Sequence, residues 1–213
     1  QLIIRRSRVQ VPYSPPEVKL NGTSKDTCQC LSILPTRTIH ERDPMIFRLP
    51  EIRDEPVLRL AHDELKLEGA NFLLDGFQPD TEFDEYIQRV TDSLNGQNLT
   101  SGRVQSTFLL LEVSGEVVGR VSIRHELNDW LTTYGGHIGY AVRPDHRRNG
   151  YAGLLLKEGL RICDELGIAS ALLTCSDTNI ASAKVIESAG GVLENKIQDT
   201  DGLLRRYLSL IHI

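Results

Sequence analysis

The chain has 213 residues, of which 40% are hydrophobic and 25% are charged, and its formal net charge is −5. This composition is typical of soluble globular proteins, and the length fits one domain or one domain with an appendage. No apolar run approaches the roughly 18 residues that a membrane span needs, and the negative charge does not indicate a nucleic-acid partner. We therefore expect a cytoplasmic protein that binds neither membranes nor nucleic acids.

The two ends of the chain differ from the rest. Residues 1–44 hold seven Lys/Arg, four Asp/Glu and five of the nine prolines, without sustained hydrophobic periodicity, so we predict that they are disordered. Met45 is the only methionine and the periodic pattern begins there, so we expect it to be the natural start and residues 1–44 to be translated non-coding DNA. "LSLIHI" (208–213) resembles a translated transposon end used as a sequencing adapter. The alternatives are a genuine basic tail and a genuine apolar last strand.

The four cysteines, Cys28, Cys30, Cys163 and Cys175, do not have the spacing of a disulfide framework. Cys28 and Cys30 form a CxC pair, which is neither a CxxC redox motif nor a zinc half-site, and no histidine cluster accompanies them. We expect free thiols, as is usual in a reducing compartment, and no bound metal.

Hydrophobic periodicity predicts eleven elements from residue 45 onward, in the order β-α-α-β-β-β-α-β-α-β-β. Turn signals at Ser114–Gly115 and Asp201–Gly202 predict two hairpins. Neither a repeat nor a second core is evident, so we predict one α/β domain over 45–207 with a mixed sheet. The predicted segments are 45–50, 54–69, 80–96, 107–113, 116–125, 135–143, 149–167, 169–176, 177–191, 192–197 and 203–210.

The stretch "VRPDHRRNGYAG" (142–153) joins a predicted strand to a predicted helix. The first N–H groups of a helix are unpaired and its dipole is positive there, so such a junction attracts anions. Gly150 lacks the Cβ that would keep a phosphate at a distance, and Arg147 and Arg148 add charged donors. The stretch is neither a Walker loop nor a GxGxxG motif. It predicts a site for a diphosphate or a comparable anion; the alternative is a surface loop with solvated arginines.

"RRNGYA" (147–152) resembles the R/Q-x-x-G-x-G/A acetyl-coenzyme A signature of the GNAT acyltransferase superfamily. "VGRVSIRHELNDWL…GGHIGYAVRP" and "LLTCSDTNIASAKVIESAGGVLEN" resemble a branch of predicted bacterial acetyltransferases. These stretches cover most of 107–207, whereas 45–106 match only in outline. The resemblance implies the GNAT fold, an α/β fold with a mixed, mostly antiparallel sheet of six to seven strands and about four helices. It also implies that strands 135–143 and 169–176 splay apart and admit acetyl-CoA.

The same resemblance implies which residues bind acetyl-CoA. The diphosphate would lie on the backbone of 147–152, and the pantetheine would follow the strand edge through backbone groups of Ala141 and Val142. Asn179 matches the family's asparagine near the pantetheine, and Ser182 is its companion, although both could simply cap a helix. The implied set comprises Ala141, Val142, Arg147, Arg148, Asn149, Gly150, Tyr151, Ala152, Gly153, Asn179 and Ser182.

Acetyl transfer to an amine needs a base, and three residues are candidates. His125 and Glu126 end one predicted strand, and His137 lies beside the implied acetyl-CoA strand. Histidine has the suitable pKa range, and a glutamate can act through water. Each residue could instead be structural.

An acid for the leaving thiolate is the second requirement. The resemblance places the usual tyrosine acid at Ile186, so this chain lacks it, and Tyr151, Tyr140 or water would have to substitute. Trp130 and Tyr134 lie in the loop before the acetyl-CoA strand and could line the acceptor pocket or form a hydrophobic plug.

The leading hypothesis is an acetyl-CoA-dependent N-acetyltransferase that transfers acetyl directly to a small-molecule or peptide amine in a ternary complex. The alternative is a non-catalytic acyl-CoA-binding sensor domain, which the missing tyrosine keeps open. A P-loop NTPase is disfavoured because no Lys-Ser/Thr follows the loop. The acidic balance of the region after residue 44 mildly suits a cationic acceptor. We expect a monomer or a homodimer.

Overall fold

The computed structural model describes residues 44–74 and 76–210. The predictions for residues 1–43, including Cys28 and Cys30, and for 211–213 lie outside these ranges. Every element predicted from the sequence is present, in the predicted order. Within the described part, no helix is long and apolar enough to cross a membrane. The elements are β1 (Met45–Arg48), α1 (Glu55–Lys66), α2 (Phe83–Asn95), β2 (Ser106–Val113), β3 (Glu116–Arg124), β4 (Ile138–Val142), α3 (Tyr151–Glu165), β5 (Ser170–Ser176), α4 (Ile180–Ser188), β6 (Val192–Asp199) and β7 (Gly202–Leu210).

The structure also contains three short helical turns. The sequence analysis did not predict them. They are 3-10 turns at Ile52–Asp54 and Pro144–His146, and a π turn at Leu131–Gly135. The π turn packs on β5, because the Thr174 hydroxyl donates to the Tyr134 carbonyl at 2.9 Å. The segment between β3 and β4 is therefore held against the C-terminal half of the fold.

The strands form two antiparallel sheets, ordered β1-β2-β3-β4 and β5-β7-β6. The sheets meet where β4 begins: the His137 backbone N–H donates to the Leu172 carbonyl at 2.7 Å, and the Leu172 N–H donates to His137 Nδ1 at 3.0 Å. Beyond this point β4 and β5 are no longer paired. The predicted fold and its splay are confirmed, and the predicted single sheet is divided in two at the splay.

The first sheet lies between two layers of helices, and each layer has its own core. Side chains of α1 and α2, together with Phe72, Leu73 and Phe77, cover one face, where Tyr86 and Phe108 are fully buried. Helix α3 covers the other face, where Leu155 and Leu156 are fully buried. Each such leucine stabilises the fold by about 1.5–3 kcal/mol. Because side chains alternate along a strand, successive residues of β3 and β4 face the α1–α2 layer and the α3 layer in turn. The position of each candidate residue in its strand therefore determines which layer its side chain faces.

The last strand includes the start of the predicted adapter-derived segment. Leu208 pairs with Leu172, and Ser209 pairs with Ala171 and is buried. Residues 208–210 thus take part in the second sheet.

Candidate active site

The β4 edge that faces the splay is not paired with another strand beyond His137. The Arg124 N–H donates to the His137 carbonyl and the Arg143 N–H donates to the Val118 carbonyl, so the odd-numbered residues of β4 form the hydrogen-bonded pairs with β3. The N–H and C=O groups of Tyr140 and Val142 therefore point toward the diverging β5. An extended ligand can therefore form hydrogen bonds with this edge in the way that an added β-strand would.

The register between β3 and β4 shows that Ala141 and Val142, both predicted to bind pantetheine, direct their backbone groups to opposite sides of β4. Val142 presents its backbone to the open edge, and its carbonyl accepts from Arg147 Nε at 3.4 Å. Ala141 lies opposite Arg120 and directs its backbone toward β3. The geometry therefore favours Tyr140 and Val142 as the hydrogen-bonding residues of this edge, with Ala141 between them.

Tyr140 crosses the splay and contacts α4. Its hydroxyl lies 2.9 Å from Ser182 Oγ, and it also approaches the Ser182 carbonyl at 3.4 Å. Burial raises the pKa of the Tyr140 phenol, so the hydroxyl stays protonated at neutral pH. Cys175 on β5 also hydrogen-bonds to Ser182, and burial raises the pKa of its thiol. A protonated donor, rather than a reactive thiolate, is thus available at the splay.

The loop that follows β4 leads into the N-terminus of α3. Gly150 is the N-cap residue in the left-handed conformation (φ 78°), and no side chain caps the helix. A Cβ on Gly150 would point into open space, which is the space an anion at the helix N-terminus would need. Arg148 is also left-handed (φ 67°), a conformation uncommon for residues with side chains. Such strain is found at ligand-binding loops more often than elsewhere.

Other members of the predicted loop set have different environments. The Asn149 side chain donates to the His146 carbonyl at 3.1 Å and holds the turn. Ala152 and Gly153 form the first turn of α3, where small side chains leave the helix N-terminus accessible. The Tyr151 side chain is 7% exposed and belongs to the core between the sheets and α3. Its position favours Tyr140 over Tyr151 as the acid.

The two adjacent arginines are both exposed but differ in their contacts. Arg147 forms a two-pronged ion pair with Glu68, with N–O distances of 2.6 and 3.0 Å. This guanidinium holds the pKa of Glu68 below its usual range. Exposed ion pairs of this kind contribute about 0–1 kcal/mol to stability. Arg147 can therefore leave Glu68 and bind a phosphate with little loss of free energy. Arg148 sits on the strained turn itself.

Asn179 and Ser182 are brought together at the start of α4. Asn179 is the N-cap residue, and its Oδ1 accepts from the Ser182 N–H at 3.0 Å. Asn179 therefore caps α4, as the alternative interpretation predicted. Its Nδ2 group can still donate a hydrogen bond to a ligand. The Ser182 hydroxyl is directed to Tyr140.

Among the base candidates, His125 and Glu126 lie just beyond the end of β3. His125 Nε2 is 2.8 Å from the Thr107 hydroxyl. Burial lowers its pKa, so the ring is neutral at pH 7 and chemically able to take a proton. Because Arg124 pairs opposite His137, His125 lies about four strand residues, or roughly 13 Å, from Tyr140 along the sheet. Glu126 is exposed.

His137 connects the two sheets. Its Nδ1 accepts from the buried Leu172 N–H, which fixes the proton of the neutral ring on Nε2. Burial and the nearby Arg124 charge lower its pKa. Neither ring nitrogen can then accept a substrate proton without breaking this contact, so the geometry favours a structural role over a basic one.

This contact makes the stability of the splay dependent on pH. Because the folded state lowers the pKa of His137, the unfolded chain binds the proton more tightly, and stability falls as the pH drops through and below 6.5. His137→Ala should lower the free energy of unfolding at pH 7.5 by about 1–3 kcal/mol, because the buried Leu172 N–H loses its acceptor. Urea unfolding at pH 7.5 and 5.5 checks both statements.

The urea unfolding of His137→Ala at the two pH values is the control. His62 and His125 also have pKa values lowered by burial, so some dependence on pH remains in the variant. The difference in stability between wild type and His137→Ala should shrink toward pH 5.5. An unchanged difference at the two pH values would contradict the assigned contact.

A cavity of about 410 Å³ opens on the α2 side of β3. Its wall includes α2, the 97–106 segment, alternate side chains of β3, and Trp130. Trp130 is 62% exposed and its ring lies 6.2 Å from that of Tyr134, centroid to centroid. Tyr134 is not part of the cavity wall, and neither are the three base candidates. Of the residues that line this cavity, the sequence analysis had singled out only Trp130. The polar residues at alternate positions of β3, Arg120, Ser122 and Arg124, could have indicated a polar face there.

One family model matches the chain. The family described as Acetyltransferase (GNAT) matches residues 70–190. No curated protein matches the chain in sequence. Similar solved structures include RimJ of Mycobacterium smegmatis in complex with CoA-disulfide, at 16% identity and a TM-score of 0.61, over 78% of this chain and 82% of that chain.

Two further structures have the same fold. YncA of Salmonella typhimurium, solved with its cofactor acetyl-CoA, has 16% identity and a TM-score of 0.56, over 78% of this chain and 94% of that chain. A spermidine N-acetyltransferase SpeG chimera from Vibrio cholerae and hSSAT has 17% identity and a TM-score of 0.56, over 78% and 95%.

Proposed function

The chain belongs to the GNAT acetyltransferase family, and on that premise we propose that it is an acetyl-CoA-dependent N-acetyltransferase. The observation that carries this proposal is the open β4 edge at the splay, with the Tyr140–Ser182 contact across it. One end of this edge leads to the uncapped N-terminus of α3. A ligand with an extended arm and a diphosphate fits these two features together.

Acetyl-CoA would be bound mainly by backbone groups. Its pantetheine amides would pair with Tyr140 and Val142 along β4, and Asn179 Nδ2 would donate to the same arm. Its diphosphate would accept from N–H groups of residues 148–152, where Gly150 leaves room and Arg148 adds charge. YncA, which has the same fold, was solved with acetyl-CoA, and this supports the choice of acyl donor.

The reaction would be a direct transfer between two bound substrates. The lone pair of the neutral acceptor amine attacks the thioester carbonyl carbon, a C–N bond forms, and the C–S bond breaks. The developing oxyanion would accept a hydrogen bond from a backbone N–H of strand 138–142 that the pantetheine leaves unpaired. The amine loses one proton to solvent or to a base. His125 is neutral at pH 7, but it lies roughly 13 Å from Tyr140 along the sheet, so it would act only through a chain of water molecules.

The departing thiolate would take its proton from Tyr140. The raised pKa of this phenol keeps the proton available, and Ser182 orients the hydroxyl at 2.9 Å. Tyr140 then replaces the tyrosine that the family signature would place at Ile186, which is buried here. The proton released by the amine restores the phenol, so the site returns to its initial state.

A turnover assay tests the proposal. The protein is incubated with acetyl-CoA and a panel of primary amines, free thiol is measured over time, and products are identified by mass spectrometry. We expect amine-dependent thiol release with one acetyl group added per thiol. Tight binding of coenzyme A without turnover of any amine would instead identify a non-catalytic acyl-CoA-binding sensor domain.

A further inference from the structure

The cavity on the α2 side of β3 reaches the open edge of β4. Ser122 of β3 is part of the cavity wall, and its hydroxyl donates to the Gly139 carbonyl at 3.2 Å. Arg120 belongs to the same wall and donates to the same carbonyl at 3.1 Å. Gly139 immediately precedes Tyr140, and neighbouring Cα atoms are about 3.8 Å apart. An acceptor in this cavity would therefore lie beside the proposed thioester site.

The π turn at Leu131–Gly135 contributes to the wall of this cavity. Trp130, the residue before the turn, and Leu131, its first residue, both line the cavity. Leu131 is buried, whereas the Trp130 side chain is largely exposed. A Cβ placed on Gly135 would lie 2.8 Å from the Trp130 ring, so the end of the turn packs closely on the indole. The position of the turn therefore determines where the indole stands at the cavity.

The start of the turn is fixed to the neighbouring wall. Asn128 Oδ1 accepts from the Leu131 N–H at 2.9 Å, and Asn128 Nδ2 donates to the Gly102 carbonyl at 2.9 Å. Gly102 also lines the cavity. The start of the turn and the 97–106 segment are therefore held together as one wall.

The middle of the turn is fixed from the second sheet, by Arg206 of β7. Arg206 Nη1 donates to the Thr132 carbonyl and, at 2.7 Å, to the Thr133 carbonyl. Carbonyl groups near the end of a helical segment lack partners within it, and a guanidinium offers them charged donors in a rigid plane. Glu194 of β6 accepts from Arg206 Nε at 3.0 Å and lies 2.9 Å from Nη2. The carboxylate therefore orients the guanidinium toward the turn.

Burial makes these contacts more effective than an exposed ion pair. The Arg206 side chain is 13% exposed. Hydrogen bonds from a charged donor are stronger than those between neutral groups. Without the guanidinium, the two carbonyls would lose a charged donor, and Glu194 would lose its cation. The turn would then keep the contact of the Thr174 hydroxyl with the Tyr134 carbonyl, which is a neutral hydrogen bond.

We infer that Arg206 is a positioning residue for the acceptor amine: it holds the turn so that Trp130 and Leu131 form one wall of the acceptor site. This inference rests on the proposed acetyltransfer and adds a residue 74 positions after Thr132 to the acceptor side. The proposed acetyl-CoA residues lie on β4 and at the starts of α3 and α4 instead. Loss of Arg206 should therefore weaken acceptor binding much more than acetyl-CoA binding.

The fluorescence of Trp130 tests whether Arg206 holds the turn. Trp130 is the only tryptophan of the chain, so its emission reports on this wall alone. We expect a loss of steady-state anisotropy in Arg206→Gln, and a smaller loss in Glu194→Gln, because the indole gains motion on the nanosecond timescale. Arg53→Gln is the control, since Arg53 is exposed and pairs with Glu51, and it should keep the wild-type anisotropy. Unchanged anisotropy in both hairpin variants would overturn the inference.

Acceptor binding and turnover test whether the turn belongs to the acceptor site. Spermidine, tyramine, glucosamine and L-lysine are each titrated with coenzyme A at saturation while Trp130 emission is recorded. We expect a saturable change with at least one amine, and its affinity for Arg206→Gln should be about tenfold weaker. Arg206→Lys keeps the charge and should retain part of that affinity. In the thiol-release assay, Arg206→Gln should raise the KM of this amine about tenfold, with the KM of acetyl-CoA nearly unchanged.

The outcomes separate this inference from the proposed function. An amine that changes Trp130 emission and binds Arg206→Gln more weakly, but is not acetylated, would support the wall assignment and refute catalysis. Turnover with the same acceptor KM in wild type and Arg206→Gln would overturn the inference and leave the acetyltransferase proposal standing. Equal increases in the KM of acetyl-CoA and of the acceptor, or no change of Trp130 emission with any of the four amines, would also overturn it. Glu194→Gln and Arg206→Lys provide the same measurements if Arg206→Gln does not fold.

Discussion

Replacing Arg147 and Arg148 together by alanine is expected to weaken coenzyme A binding about 100-fold. Each charged hydrogen bond to a phosphate contributes about 1.5 kcal/mol at the lower end of its range, and 1.4 kcal/mol corresponds to a factor of ten. The single variants should differ. Arg147→Ala should have the smaller effect, because Arg147 must first leave its ion pair with Glu68. Isothermal titration calorimetry with coenzyme A measures all three.

Two comparisons keep this prediction specific to the diphosphate. Pantetheine lacks the diphosphate, so its affinity should change less than about threefold in the double variant. Arg161→Ala removes an arginine from the other end of α3, where it pairs with Glu158, and should leave both ligands unaffected. If coenzyme A and pantetheine lost affinity equally, the loop would not be the diphosphate site.

Tyr140→Phe is expected to lower kcat about 100-fold with little change in the KM of acetyl-CoA. The substitution removes only the hydroxyl that lies against Ser182 Oγ, while the backbone of the open edge is unchanged. General acids contribute about 100- to 10,000-fold, and the lower end applies because a thiolate is a good leaving group. Steady-state rates of thiol release, with each substrate varied in turn, separate kcat from KM.

The dependence of the rate on pH follows the protonation of the Tyr140 phenol. Because burial raises the pKa of Tyr140, its acid form persists across neutral pH and is lost only above its usual value of about 10. The ratio of wild-type to Tyr140→Phe rates should therefore be constant from about pH 6 to about pH 9. Ser182→Ala is the matched control, since it removes the contact but keeps the phenol. An equal loss of kcat in both variants would show that the contact matters only for structure.

The sequence determined the order of elements because each depends on nearby residues. The period of Phe83, Tyr86 and Val90 buries one side of α2, and the alternation of Phe108 and Leu110 buries one face of β2. The same holds for the loop at Gly150, where a positive φ and an uncapped helix N-terminus follow from a few adjacent residues. The π turn was missed because its π-helical hydrogen bonding has no distinct residue pattern.

The side chains that complete the site come from distant parts of the chain. Tyr140 is one of two acid candidates in the sequence, and only its contact with Ser182, 42 residues later, favours it. His137 is a plausible base until its bond to Leu172, 35 residues later, shows that its ring is engaged. Arg147 is simply a cation until its pairing with Glu68 is seen.

The cavity on the α2 side of β3 also combines residues that are far apart in the sequence. The acidic balance of the region after residue 44 led to the expectation of a cationic acceptor. Folding brings arginines from α2, the 97–106 segment and β3 to the wall of one space. Hydrophobic periodicity is a local property and fixes helices and strands. Electric potential depends on distances in space, so only the tertiary structure decides which charged side chains lie near one another.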